Sequence, residues 1–201
     1  MILASASIAG LLFALGAALA YAVAAVAANK IGNGPARLVL LSAWLMHGLT
    51  LALGLAETPA RFGFAPALSI TAWLVLTVYA VESHVLPELN ARLALSGLGA
   101  AAVLMARVFP GAPLPPVASP WLPLHWALGI ASYGLFAAAV VHAGLMTRAE
   151  RQIRLAADPH SGVPLLTLER LTFRFVSAGF VLLTATLLAG WYFGEHLYGA
   201  N

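Results

Sequence analysis

Residues 122–147, LPLHWALGIASYGLFAAAVVHAGLMT, contain no Asp, Glu, Lys or Arg. A run of that length without a charge is long enough to cross the roughly 30 Å hydrocarbon core of a bilayer as a helix. It is not alone. The whole chain is 62% hydrophobic and only 8% charged, with a mean hydropathy of +0.92. Soluble domains carry about 25% charged residues, so an ordinary soluble globule is excluded. Backbone groups in lipid must be satisfied within the chain, which leaves helices or a closed barrel. The apolar runs are continuous rather than alternating and rich in Ala and Leu, so they predict helices. The expected fold is an all-α polytopic transmembrane bundle, one integral membrane domain over residues 1–201.

Six spans are expected: 5–28, 38–56, 67–86, 93–109, 124–147 and 171–193. The first lacks the positive flank of a signal peptide and is longer than the roughly 7–15 apolar residues of one, so it reads as an uncleaved helix. The fourth is short, and Ser96, Gly97 and Gly99 suit it to close packing against a neighbour.

The joints between spans predict sidedness. Lys30, Arg37, Arg92, Arg148, Arg151, Arg154, Arg170 and Arg174 fall on the first, third and fifth joints or their flanks, leaving Arg61 and Arg107 for the other side. Positive residues favour the cytoplasmic face, so both termini are expected outside. This patterning also accounts for the net charge of +3 and the pI near 9.7 without a nucleic-acid partner. The partner it does imply is the lipid bilayer.

The fourth joint, residues 110–123, holds six of the twelve prolines. It reads as a semi-rigid external loop, with Trp121 and Trp126 as interfacial anchors. Its role is either plain connection or a lid over the mouth of the fifth span. The fifth joint, Arg148 to Leu166, is basic, which suits retention at the cytoplasmic face. Thr167 is placed to cap the sixth helix, with Glu169 in its first turn. Arg170 and Arg174 share a face and point toward headgroups.

Cysteine is absent, which excludes disulfides, thiolate ligands and thiol nucleophiles. No P-loop, serine elbow or zinc helix is present. Gly97-Leu-Gly99 lies inside an apolar span and reads as packing, and no paired carboxylates suggest acid–base catalysis. Neither discontinuous spans nor an inverted repeat points clearly to a transporter.

The chemistry therefore rests on histidine, because an ionisable ring within a membrane is costly and usually functional. His47 lies about midway along the second span. His125 opens the fifth at its outer mouth, and His142 follows seventeen residues later, about 25 Å away. His84 ends the third span beside Glu82, His196 follows the sixth, and His160 sits in a joint. Depth allows His125 to meet His196, or His47 if a ligand penetrates, at the outer face, and His84 to meet His142 at the inner one. Glu82 is expected to snorkel, to pair with His84 or His142, or to relay protons. Two neutral imidazoles from different helices are what bis-histidine haem ligation requires. Gly129, Gly134 and Ala138 would let a flat macrocycle approach the backbone.

LPLHWALGIASYGLF resembles the cytochrome c assembly protein family, in which a histidine opens a span and a Ser-Tyr pair follows seven and eight residues on. Here these are His125, Ser132 and Tyr133. PLLTLERLTFRFVSAGFVLLT and the AWLMHGL around His47 look like the smaller inner-membrane branch, YpjD and HemX. The resemblance covers nearly the whole chain. It implies a bacterial inner-membrane protein that handles haem in cytochrome c maturation, with His47 and His125 as haem-iron ligands, acting by ligation and positioning rather than catalysis. It implies other cytochrome c assembly proteins as partners. The tryptophan-rich external segment of the larger haem-delivering members is absent. The smaller branch continues for about two further spans beginning at a His-Lys pair, so the domain is expected to be incomplete at its C-terminal end, with His196 as the nearby substitute ligand. The alternative within that branch is a HemX-like scaffold or regulator of tetrapyrrole synthesis. It would bind no haem and would capture a protein through Arg148, Arg151 and Arg154.

Overall fold

The computed structural model describes residues 8–27, 33–57, 59, 61–86, 91–113, 121–155 and 163–194. These form six helices: α1 (Ile8–Ala27), α2 (Asn33–Ala56), α3 (Phe64–Val85), α4 (Arg92–Val108), α5 (Leu122–Arg154) and α6 (Leu165–Tyr192). Two short strands, β1 (Arg61–Phe62) and β2 (Ala112–Pro113), pair antiparallel. The expected all-α membrane bundle is therefore the observed architecture. Five helices are long and apolar enough to cross a membrane. The exception is α4, whose 17 residues reach only about 26 Å.

Helix ends follow local chemistry. Pro35 falls in the first turn of α2, Pro66 in that of α3 and Pro123 in that of α5, where a missing backbone N–H costs no helical hydrogen bond. Two boundaries differ from expectation. The fifth helix does not stop at Thr147 but runs on to Arg154, because Arg, Glu and Gln are good helix formers once the chain has left the apolar layer. The sixth starts at Leu165, with Pro164 at the N-cap and no side-chain cap. Thr167 is thus inside the first turn, where its own N–H reaches the Pro164 carbonyl at 2.9 Å, and it does not cap.

The chain divides into two compact units, Met1–Ala80 with Ala91–Leu114, and Val81–Asn90 with Pro115–Asn201. In the first, α1 packs on α2 and α4 through small residues. Ala14, Ala17, Ala24 and Tyr21 are fully buried on one stripe, while Leu12, Leu15 and Leu19 face outward. Small residues allow close helix approach where lipid supplies no hydrophobic drive. Gly99 is the clearest case, since a Cβ there would come within 2.9 Å of both Leu76 and Tyr21. Gly97, one helical face away, has open space around it.

A polar clamp joins α2 to α3. Trp44 and Trp73 stack at 5.0 Å, the Trp73 indole donates to the Trp44 carbonyl (3.0 Å), and the Trp44 indole donates to the Thr77 hydroxyl (2.8 Å). The β1–β2 pair ties the α2–α3 joint to the start of the α4–α5 joint. Arg61 Nη1 reinforces it by donating to the Gly111 carbonyl at 3.1 Å. Gly111 has φ +82°, and a Cβ there would collide with the Phe62 carbonyl.

In the second unit α5 and α6 form an antiparallel hairpin. His125 packs against Gly190, Gly129 against Thr186, Phe136 against Gly179 and His142 against Phe175. His125, Gly129 and Phe136, four and seven residues apart, share one helical face.

Candidate functional site

Four of the six histidines are described, and each has a distinct environment. His160 and His196 lie outside the described residues, as do residues 114–120 of the proline-rich joint, whose role is plain connection or a lid, and any pairing of His125 with His196.

His47 is fully buried in the first unit. Its Nδ1 lies 3.1 Å from the Tyr21 hydroxyl and its Nε2 lies 2.9 Å from Ser69 Oγ. Tyr21 meets the ring edge-on, with centroids 5.8 Å apart. A neutral imidazole has one donor and one acceptor nitrogen, and two hydroxyls, which can each donate or accept, satisfy either tautomer. The three groups come from α1, α2 and α3, so this network fixes the register of three helices. Both ring nitrogens are engaged. Iron ligation would require Tyr21 or Ser69 to be exchanged for the metal.

His125 is partly buried in the first turn of α5 of the second unit. Its Cε1 sits 3.1 Å from where a Cβ at position 190 would lie, so Gly190 is the cradle that admits the ring. Ser132, seven residues on, is fully buried, and its hydroxyl donates to the Gly129 carbonyl at 2.7 Å. Tyr133, the next residue round the helix, is exposed.

His142, 2% exposed, donates from Nδ1 to the Ala138 carbonyl at 2.8 Å. A carbonyl only accepts, so the proton on Nδ1 is fixed. Nε2 then faces Glu82 Oε2 at 3.0 Å, off the line of a straight hydrogen bond. Among the described residues neither oxygen of Glu82 has a hydrogen-bond donor. The pair therefore exists as imidazolium and carboxylate, or with the proton on the acid. The expected partnership of Glu82 with a histidine is present, and its partner is His142. His84 is exposed in the last turn of α3, because residues two apart on a helix point to nearly opposite sides.

Among the described residues no group of three or more His, Asp or Glu side chains could hold a metal ion unaided. A metal here would need ligands that it brings with it, as a porphyrin does. The cytochrome C assembly protein profile matches residues 35–201. The chain belongs to the cytochrome C assembly protein family. No curated protein and no solved structure matches it. Membership assigns this multi-pass membrane protein to cytochrome c biogenesis. The match takes in all four described histidines and starts after α1, so Tyr21, the partner of His47 Nδ1, comes from outside the matched segment.

Haem is the group the family implies. Of the described rings, His125 fits it best: it is partly buried, at a helix start, with a glycine backbone alongside. His47 has a hydroxyl at each ring nitrogen, and His142 is held between the Ala138 carbonyl and the Glu82 carboxylate. The Trp44–Trp73 stack and the Tyr21 and Ser69 contacts were not legible in the sequence. A signal for the second existed, since Tyr21 and Ser69 are hydrogen-bonding groups within apolar spans.

Proposed function

We propose that this family member binds haem and holds it for cytochrome c maturation, by ligation and positioning rather than catalysis. The observation that carries the reading is His125 seated over Gly190 at the start of α5, within a chain of the cytochrome C assembly family. His125 is the proposed iron ligand, with Ser132 and Gly129 keeping that face of α5 compact against α6. His47 is the second candidate, reached only by releasing Ser69 or Tyr21. Bound haem would supply the macrocycle destined for an apocytochrome. On this reading the chain is a YpjD- or HemX-like protein of the bacterial inner membrane, and the charge bias supports termini outside and basic joints in the cytoplasm.

The test is a visible spectrum of the purified chain with added haem. A Soret band that weakens in His125→Ala is expected. No band at all, or one untouched by both His125→Ala and His47→Ala, overturns the reading.

One observation favours the scaffold alternative. The extension of α5 beyond the apolar layer presents Arg148, Arg151 and Arg154, all exposed, on a rigid helix. In that reading their replacement abolishes capture of a protein partner, and the histidine variants behave as the native chain.

A further inference from the structure

A second polar feature lies in the first unit. The ends of α2 and α4 and the start of α3 enclose a cleft beneath the β1–β2 ladder. Its lining includes the charged Arg61, Arg107 and Glu57, the apolar Leu51 and Ile70, and Ser69. The enclosed volume is about 90 Å³. That is well below the roughly 300–1,000 Å³ of a pocket for a drug-sized ligand, so the cleft suits a small head group rather than a whole macrocycle.

We propose that this cleft binds an oxyanion, a carboxylate or phosphate, carried on an apolar body that stays in the membrane. Three observations converge. First, two guanidiniums and one carboxylate line the cleft, which leaves it with net positive charge. Second, the two arginines are differently prepared. Arg61 is anchored by its bond to the Gly111 carbonyl, whereas the Arg107 side chain makes no hydrogen bond or ion pair among the described residues. Arg107 is therefore available to a ligand, and a guanidinium binds a planar oxyanion in bidentate fashion. Third, most of the remaining lining is apolar, with Leu51, Leu55, Phe62, Ile70 and Val103, which suits a ligand's apolar body. Ser69 matters further, because its Oγ is the group bonded to His47 Nε2. A bound oxyanion would lie one side chain from the buried imidazole. These two arginines are also the pair left over once the basic residues that set sidedness are removed.

The experiment compares matched probes on the purified full chain. Phosphatidylglycerol against phosphatidylcholine reports a lipid phosphate. Haem against its dimethyl ester reports the carboxylates of a tetrapyrrole. Inorganic phosphate alone reports whether a free oxyanion suffices. We expect at least one anionic probe to bind about tenfold or more tightly than its neutral counterpart, as charge-assisted pairing allows. Arg107→Gln should remove that preference and Arg107→Lys should restore part of it. Arg107 is the informative position because, unlike Arg61, it does not brace the ladder. Equal binding of every anionic probe and its neutral counterpart overturns the proposal, and so does a preference that survives Arg107→Gln. Haem and its ester binding equally well would refute the carboxylate arm while leaving the haem-binding reading intact.

Discussion

Glu82 Oε2 and His142 Nε2 lie 3.0 Å apart, side chains from α3 and α5 that are 12% and 2% exposed. The other ring nitrogen is committed to the Ala138 carbonyl, so the carboxylate has His142 as its only compensation among the described residues. Removing one member of a buried pair strands the other, at a cost of about 3–5 kcal/mol. His142→Ala should therefore destabilise the fold by that order. Glu82→Gln should cost clearly less, because the amide can still donate to Nε2. Unfolding in detergent, read by helical signal, checks both, and a double-variant cycle should return a non-zero coupling.

The His47 network makes opposite predictions for stability and for ligation. Ser69→Ala leaves Nε2 buried without its partner, and should lower stability by about 1–3 kcal/mol. If His47 can take iron, the same change releases the nitrogen that iron needs, and haem affinity should rise rather than fall. A haem titration of Ser69→Ala against the native chain decides between a structural and a ligating His47.

At the hairpin seam, Gly190→Val should displace the His125 ring, since even a Cβ would sit 3.1 Å from Cε1. The expected result is a haem affinity reduced about tenfold or more, or about 1.4 kcal/mol, with the α5–α6 helical signal retained. Gly129→Ala, where the added carbon would meet Thr186 at an ordinary 3.6 Å, is the matched control and should bind as the native chain does.

Gly111→Ala tests the ladder that binds two joints together. An L-residue at φ +82° is strained by about 1–2 kcal/mol, and its Cβ meets the Phe62 carbonyl. Loss of the β1–β2 pairing should show as faster proteolysis at residues 61–63 and 111–113, with the helices unaffected.

The sequence determined, by itself, that this is a membrane bundle of helices. Apolar runs long enough to span leave no other way to satisfy the backbone, and proline and glycine marked most of the boundaries. Boundaries were least legible where the apolar signal ended before the helix did, as at Arg148 to Arg154. Depth along each span singled out His47 and put Glu82 within reach of a histidine. Only the tertiary structure decided what each ring touches. Spacing along one helix is blind to neighbours, so nothing in AWLMHGL shows that Tyr21 and Ser69 occupy both nitrogens of His47, or that Glu82 turns to His142 and away from His84. The β1–β2 ladder was equally hidden, because it joins residues fifty positions apart through a glycine whose φ is invisible in the sequence. Local periodicity fixes which face of a helix a side chain occupies, whereas hydrogen-bond partners are set by which faces meet.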